Sequence, residues 1–377
     1  MDFTVSETQQ EIAGLAARVL RGARPVPVAA PPGAGTGRDG GYDAALWKEL
    51  AQAGLLSLAL PDWLGGDGLG IADAGVLLAE TGRAGAAVPL LATTATGVLP
   101  VTRWAGRDLA ARLLAGVGTG GTVLTAALRE PSQPRPAVPA TTATLDSDGG
   151  TVTGVKVGVP YAAEADWVLV PARLAGGGTA VVVISPGADG VTTVRTPSSA
   201  GDPEYTLRLA ATPVTGVLTT AAGAGDPVTG LYQLAAAGAC CVADGALAAA
   251  LALTTEHLRT RQQFGRPLAT FQAAAQHIAD VYIAARTLHL ASLSACWRLA
   301  AGLDAGPDLD VAAFWLAEYG PAAMRTCHHL HGGTGMDVSY PLARLSALVK
   351  DLARYAGGVS YTLDRLGDRV CGDRDVH

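Results

Sequence analysis

Apolar residues recur along this chain with two different periods, and the period changes twice. Near the N-terminus, ETQQEIAGLAARVL places Ile12, Leu15, Ala16, Val19 and Leu20 at three- and four-residue spacing, which predicts an amphipathic helix capped by Ser6. YDAALWKELAQAGLLSLAL repeats the pattern through Leu46, Leu50 and Leu55. Between these segments, the prolines and glycines of GARPVPVAAPPGAGTGRDGG cannot sustain regular structure. A turn through Gly65, Gly66 and Gly68 leads into a further helix, so roughly the first 115 residues read as all-helical.

From about Gly120 the texture becomes short, β-branched runs bounded by Gly, Asp or Pro: GTVLTAAL, ATTATL, GTVTGVKVGV, DWVLVPA and GTAVVVIS. DSDGG, between the second and third, is a good hairpin turn. These strands predict a small antiparallel β domain ending near Thr220. From Thr229 onward alanine-rich helical patterns run to the C-terminus, and three or four long helices packed as a bundle fit the length. The expected fold class is α+β, mainly α. Its parts are an N-terminal helical domain (1–116), a central antiparallel β domain (117–226) and a C-terminal helical bundle (227–377).

Composition narrows this picture. A length of 377 residues predicts two or three packed units. With 49% hydrophobic residues the 48 glycines signal close helix packing rather than disorder, and no uninterrupted apolar run reaches the roughly 18 to 20 residues that span a bilayer. A net charge of -6 without a Lys/Arg block offers no footprint for nucleic acid or an anionic membrane. The five cysteines lack CxxC spacing and the N-terminus lacks a signal-peptide layout, so a reducing cytoplasm is the expected setting.

Two segments carry candidate chemistry. In RTRQQFGRPLATFQ, Arg261 offers a permanently charged fork suited to a pyrophosphate, Gln263 a neutral donor and acceptor, and Phe264 with Gly265 a turn that brings backbone close to a ligand. In HGGTG, His331 is followed by Gly332, Gly333 and Gly335, which permit close backbone approach and free N–H groups. The plainer readings are a helix surface with an ordinary turn and a helix-ending turn. Cys327, His328, His329 and His331 invite a metal reading, but no carboxylate or second cysteine follows at a ligand-like spacing, and no metal site is expected.

MDFTVSETQQE, WKELAQAGLLSLALPDWLGGDGLG, RQQFGRPLATFQ and HLHGGTG together resemble the acyl-CoA dehydrogenase family, in its order and spacing over nearly the whole chain. The resemblance implies the same three-part fold, with FAD between the β domain and the bundle and its adenosine diphosphate half reaching a neighbouring subunit. Arg261, Gln263 and Phe264 would meet that half from one chain, and His331, Gly332 and Gly333 from another, so an oligomer is implied. The implied substrate is an acyl-CoA or acyl-carrier thioester. In the family a glutamate removes the α-proton while the β-hydrogen leaves as hydride to flavin N5.

Departures from the family pattern concentrate on the reacting half. Ser360 stands where the resemblance to YEGTNE places the glutamate, and Ala235, 26 residues before Arg261, occupies the alternative base position. Arg129, Glu130 and Pro131 replace a TEP turn, and Lys156 to Pro160 replace a KxWIT segment. In these respects the chain resembles the partner subunits of heteromeric family members that act on bulky steroid-type thioesters. Three readings follow: a subunit paired with a base-bearing homologue; a stand-alone enzyme, redox or not, whose acid or base has moved; or a non-enzymatic assembly or acyl-binding protein. The relocated-base candidates are Asp351, Asp244, Asp337 and Tyr361. Plainer roles are a solvated charge cluster with Lys350 and Arg354 for Asp351, a helix cap for Asp337, and a solvent or core position for Asp244.

Overall fold

The structure is a computed structural model that describes residues 3–23, 41–146, 149–219 and 225–372. The loop expected at 22–41 lies mostly outside the described residues. Helix α1, Glu7–Leu20, begins with a reciprocal cap: Gln9 N donates to Ser6 Oγ at 3.1 Å and Ser6 N donates to Gln9 Oε1 at 3.2 Å. Its buried stripe is Ile12, Ala16 and Leu20, with Leu15 and Val19 at the margin. In α2, Ala44–Gln52, the Asp43 carboxylate accepts from Leu46 N at 3.0 Å, and Leu46 and Leu50 are buried. Helices α3 (Ile71–Ala84), α4 (Leu99–Trp104) and α5 (Arg107–Leu114) complete the N-terminal part, with a π-helical turn, Leu91–Val98, leading into α4.

The eight strands are β1 (Leu124–Ala126), β2 (Thr142–Asp146), β3 (Gly149–Pro160), β4 (Trp167–Leu174), β5 (Thr179–Ile184), β6 (Val191–Thr196), β7 (Glu204–Pro213) and β8 (Gly216–Leu218). They form one sheet in the order β6-β7-β3-β2-β4-β5-β8, with β1 beside β4. The sheet is mostly antiparallel, as expected, with two exceptions: β1 and β2 both run parallel to β4. A long excursion over residues 127–141 separates β1 from β2, and a chain that returns this way is free to pair in either direction. β2 and β3 pair antiparallel with Asp146 opposite Gly149, while the tip of the DSDGG turn lies outside the described residues. Val168, Val170, Val182 and Ile184 pack into a core within the β domain, whereas Leu169, Val181 and Val183 face the helices. Burial on both faces explains why these strands read as continuous apolar runs.

The C-terminal part contains α6 (Pro227–Thr260), a two-stranded ribbon of β9 (Gln262–Gln263) and β10 (Arg266–Pro267), α7 (Gln272–Ala300), α8 (Gly306–Phe314), α9 (Gly320–His331), α10 (Pro341–Tyr355) and α11 (Gly358–Gly372). α8 runs on into α9 through a π-helical turn, Trp315–Tyr319, so three long helical stretches stand where three or four were expected, with α10 and α11 as shorter ones. α6 is the spine. Its most apolar window would suit a membrane by composition, yet 78% of that window is buried inside the protein. α6 presses on α3 through glycines: a Cβ on Gly245 would lie 1.7 Å from Ala79 O, and one on Gly82 1.8 Å from Val242 O. Any larger residue there would force the two helices apart.

Candidate functional site

The two candidate segments, expected to meet the cofactor from different chains, lie together within this one chain at one end of the bundle. His257, in the last turn of α6, stacks on His331 at the end of α9 with ring centroids 4.5 Å apart, and Arg261 caps the same end of α6. The FG turn between β9 and β10 holds Phe264 at φ 53 and Gly265 at φ 78, leaving Phe264 91% exposed with Arg261 and Gln263 exposed beside it. His331 is 4% exposed, and its Nδ1 donates to Cys327 O at 2.9 Å. That tautomer leaves Nε2 as a buried acceptor with no partner among the described residues. Burial holds the His331 pKa below its ordinary value, so the ring is neutral at pH 7. Gly332 turns the chain at φ 58, ψ -133, and a Cβ on Gly332 or Gly333 would meet nothing within 4 Å. Gly335 is buried, and its carbonyl is 2.6 Å from His328 Nδ1.

This end fits the adenosine diphosphate half of the implied FAD. It supplies an exposed guanidinium for the phosphates, open space before two glycines, and an unpartnered imidazole acceptor for a sugar hydroxyl. The other side chains of the histidine segment are engaged within the fold. Cys327 is buried, and His329 meets the ring of His277 edge-on at 5.5 Å.

The reacting end is built differently. Arg135, in the loop after β1, reaches across to the bundle and donates from Nη2 to Ala356 O at 2.5 Å, with its guanidinium 5.3 Å from the centre of the Tyr361 ring. It lines a cavity of about 270 Å³ with Tyr232, Gln233 and Ala236 of α6 and Tyr361 of α11. A guanidinium therefore stands between the α6 turn that carries Ala235 and the residue that follows α10. The placement of Ser360 needs correcting. It is exposed on the first turn of α11, whereas Ala356, at the other glutamate position of the YEGTNE pattern, is buried against Arg135. Neither position carries a carboxylate.

The part of the β domain that the resemblance sets against the flavin ring, β3 and the loop after β1, is filled by ion pairs. Lys156 is fully buried and donates to Glu130 at 2.8 Å, and the same carboxylate accepts from Ala140 N at 2.7 Å and Thr141 N at 2.9 Å. Burial pushes the Lys156 pKa down to about 8, with Glu130 opposing the shift. Burial alone would raise the Glu130 pKa, but its bonds from Lys156 and Thr141 bring it below the ordinary value. Irregular pairing of β3 with β7 between Lys156 and Val159 lets Val157 bridge to Arg129. A Cβ on Gly158 would lie 2.9 Å from Arg129 Nη1 and 3.2 Å from Glu204 Oε1, and Arg354 of α10 bonds Glu204 through both terminal nitrogens. No tryptophan or hydroxyl takes the expected place. The residues here do not fit the ring half of the cofactor.

The remaining base candidates are engaged elsewhere. Asp351 pairs with Arg354 at 3.5 Å as the charge-cluster reading expects, but it is not solvated: it also accepts from Ser199 N at 3.0 Å and Ala200 N at 2.8 Å, tying α10 to the β domain. Asp337 is not a helix cap, because α10 begins after Tyr340. It accepts instead from Ser339 N and Oγ, both at 2.8 Å, and the backbone N–H holds its pKa down. Asp244 lies 2.9 Å from His289 Nδ1, away from the Arg135 cleft, and the Tyr361 hydroxyl donates to Arg135 O at 3.4 Å. Sequence reasoning missed Arg135 and the Lys156–Glu130 pair. The available signal was an arginine between prolines in SQPRPAVP.

Models described as the acyl-CoA dehydrogenase N-terminal and C-terminal domains match residues 6–121 and 229–370. The chain is 48% identical over 323 residues to acyl-CoA dehydrogenase FadE28 of Mycobacterium tuberculosis, covering 86% of this chain and 91% of that one. Among solved structures, a variant of the Tcur3481-Tcur3483 steroid ACAD matches with a TM-score of 0.89 at 33% identity, covering 99% of this chain and 100% of that one. The ChsE4-ChsE5 complex from Mycobacterium tuberculosis matches with 0.88 at 30%, covering 98% and 99%. PigA, solved with FAD and proline, shares the fold with 0.83 at 22%, covering 99% and 100%.

Proposed function

We propose, from the premise that this chain belongs to the acyl-CoA dehydrogenase family of oxidoreductases, that it is the base-lacking subunit of a heteromeric member and pairs with a base-bearing homologue. The reaction of the pair is α,β-dehydrogenation of an acyl thioester. FAD, the cofactor of the family, supplies the hydride acceptor when bound.

The observation that carries this reading is Arg135. A guanidinium remains protonated throughout the physiological range and cannot take an α-proton. Here it stands beside Ala356, with Ala235 on the adjoining helix, where a carboxylate would have to act. Asp351 spends both oxygens on backbone N–H groups, and Asp244 is bonded to a histidine elsewhere, so neither is free to serve as a base at this cleft. The intact adenosine end gives the pairing its purpose: Arg261, Gln263, Phe264, His331, Gly332 and Gly333 receive the adenosine diphosphate half of a flavin whose ring lies in the partner. Support also comes from relatives whose names join two different chains in one complex.

The reading is tested by co-purifying the chain with a base-bearing homologue and assaying acyl-thioester oxidation. Replacing the partner's glutamate should abolish turnover, while Asp351→Asn and Asp244→Asn in this chain should leave kcat within about twofold. Turnover that survives loss of the partner's glutamate but disappears with either aspartate would overturn the proposal in favour of a relocated base.

A further inference from the structure

A cavity larger than the cleft just described lies elsewhere in the protein. A pocket of about 630 Å³ opens between α1, α3, α6 and α7, lined by Val76, Leu251, Tyr282 and Leu293 among others. That volume lies within the range of small-molecule sites, roughly 300 to 1,000 Å³. The walls are mainly apolar, yet the interior carries polar groups that the protein leaves underused. Ser292 is 3% exposed, and its hydroxyl has no hydrogen-bond partner among the described residues. The Cys241 and Cys296 thiols, which also line the pocket, face each other at 3.5 Å. An unpaired buried hydroxyl is destabilising, and a ligand oxygen would satisfy it.

The mouth has a charge to match. Arg286, exposed on α7, forms no ion pair among the described residues, whereas the other charged groups are matched: Arg83 with Glu80, and His289 with Asp244. Arg286 and Ser292 are six residues apart on α7, about 9 Å along the helix axis. An anionic head at the first and an oxygen function at the second therefore define the two ends of one ligand, with an apolar body between them.

We propose that this pocket binds an amphipathic hydroxy- or oxo-carboxylate, independently of the flavin and acyl-thioester sites. The carboxylate lies at Arg286, the apolar body lies against α3 and α6, and the second oxygen bonds the Ser292 hydroxyl.

Isothermal titration calorimetry with 10-hydroxydecanoate and with decanoate, on the full chain and on its complex with a partner subunit, tests the proposal. The hydroxy acid should bind one to one and about 3- to 10-fold more tightly than decanoate, the contribution of one hydrogen bond. Ser292→Ala should erase that preference without lowering the melting temperature, because it removes an unsatisfied group. Arg286→Gln should weaken both acids several-fold, and Ala248→Phe should block both. Absence of saturable binding, or binding indifferent to Ser292→Ala and Ala248→Phe, overturns the inference. Failure here would leave the subunit reading untouched, since neither probe is a thioester and none of these residues lies at the Arg135 cleft.

Discussion

The two ends of the region proposed to hold the cofactor differ in how their polar groups are met. At the adenosine end the protein leaves room and unmet hydrogen-bonding capacity: open space before Gly332 and Gly333, a buried His331 acceptor, an exposed Arg261. At the acyl end the charged groups are mostly met internally, with Arg135 on Ala356 O, Lys156 on Glu130 and Arg354 on Glu204, and only the inner nitrogens Arg129 Nε and Arg135 Nε are left without a partner among the described residues. Unmet capacity is the mark of a surface awaiting a ligand, because buried polar groups otherwise find partners within the fold. Closed ion pairs mark a surface whose role has become structural. The difference separates holding a cofactor from reacting through it.

Substitutions should expose this contrast. The largest effect is expected at the acyl end, where Lys156→Met strands a buried carboxylate and should cost about 3 to 5 kcal/mol in urea unfolding, while Glu130→Gln combined with Lys156→Met recovers most of the loss. At the adenosine end, Arg261→Ala should leave stability within about 0.5 kcal/mol, since the side chain is exposed, yet weaken FAD retention by the paired complex by about 10- to 100-fold. A loss of stability without loss of FAD would erase the distinction. Arg135→Ala should cost about 1 to 2 kcal/mol while leaving turnover of the paired complex intact.

The smallest effect concerns pH. The folded His331 pKa lies below the unfolded value, so on acidification through roughly pH 6.5 the unfolded chain takes up a proton that the folded chain resists. Stability should fall from pH 7 to pH 5, and His331→Gln should flatten that slope in thermal melts. A slope unchanged by the substitution would assign the effect to other groups, His257 first among them, since its pKa is also lowered by burial.

What was legible in the sequence follows the range of the interactions involved. Ile12, Ala16, Leu20, Leu46 and Leu50 announce their buried faces through local spacing, and β1 to β5 through short β-branched runs. The two segments proposed to face the cofactor stand out because glycines and an arginine in turns carry meaning within a few residues. The parallel pairings of β4 were not legible, because they depend on where a long excursion returns. Nor was Arg135, whose partner Ala356 lies 221 positions away, or Asp351, whose partners lie about 150 positions earlier. A charge near Lys350 and Arg354 looks solvated until the β domain folds over it. The placement at Ser360 failed for a related reason: the pattern has two glutamates, and only the turn of the chain after α10 shows that Ala356 faces inward and Ser360 outward.

The central claim is that this chain holds part of a flavin without completing a flavin site. The most direct test is the visible spectrum and flavin content of the chain purified alone and after co-expression with a base-bearing homologue. The expected result is a colourless chain alone, and a yellow complex with one FAD per pair that is bleached by its acyl thioester. A chain that alone retains stoichiometric FAD and is bleached by acyl thioester would contradict it.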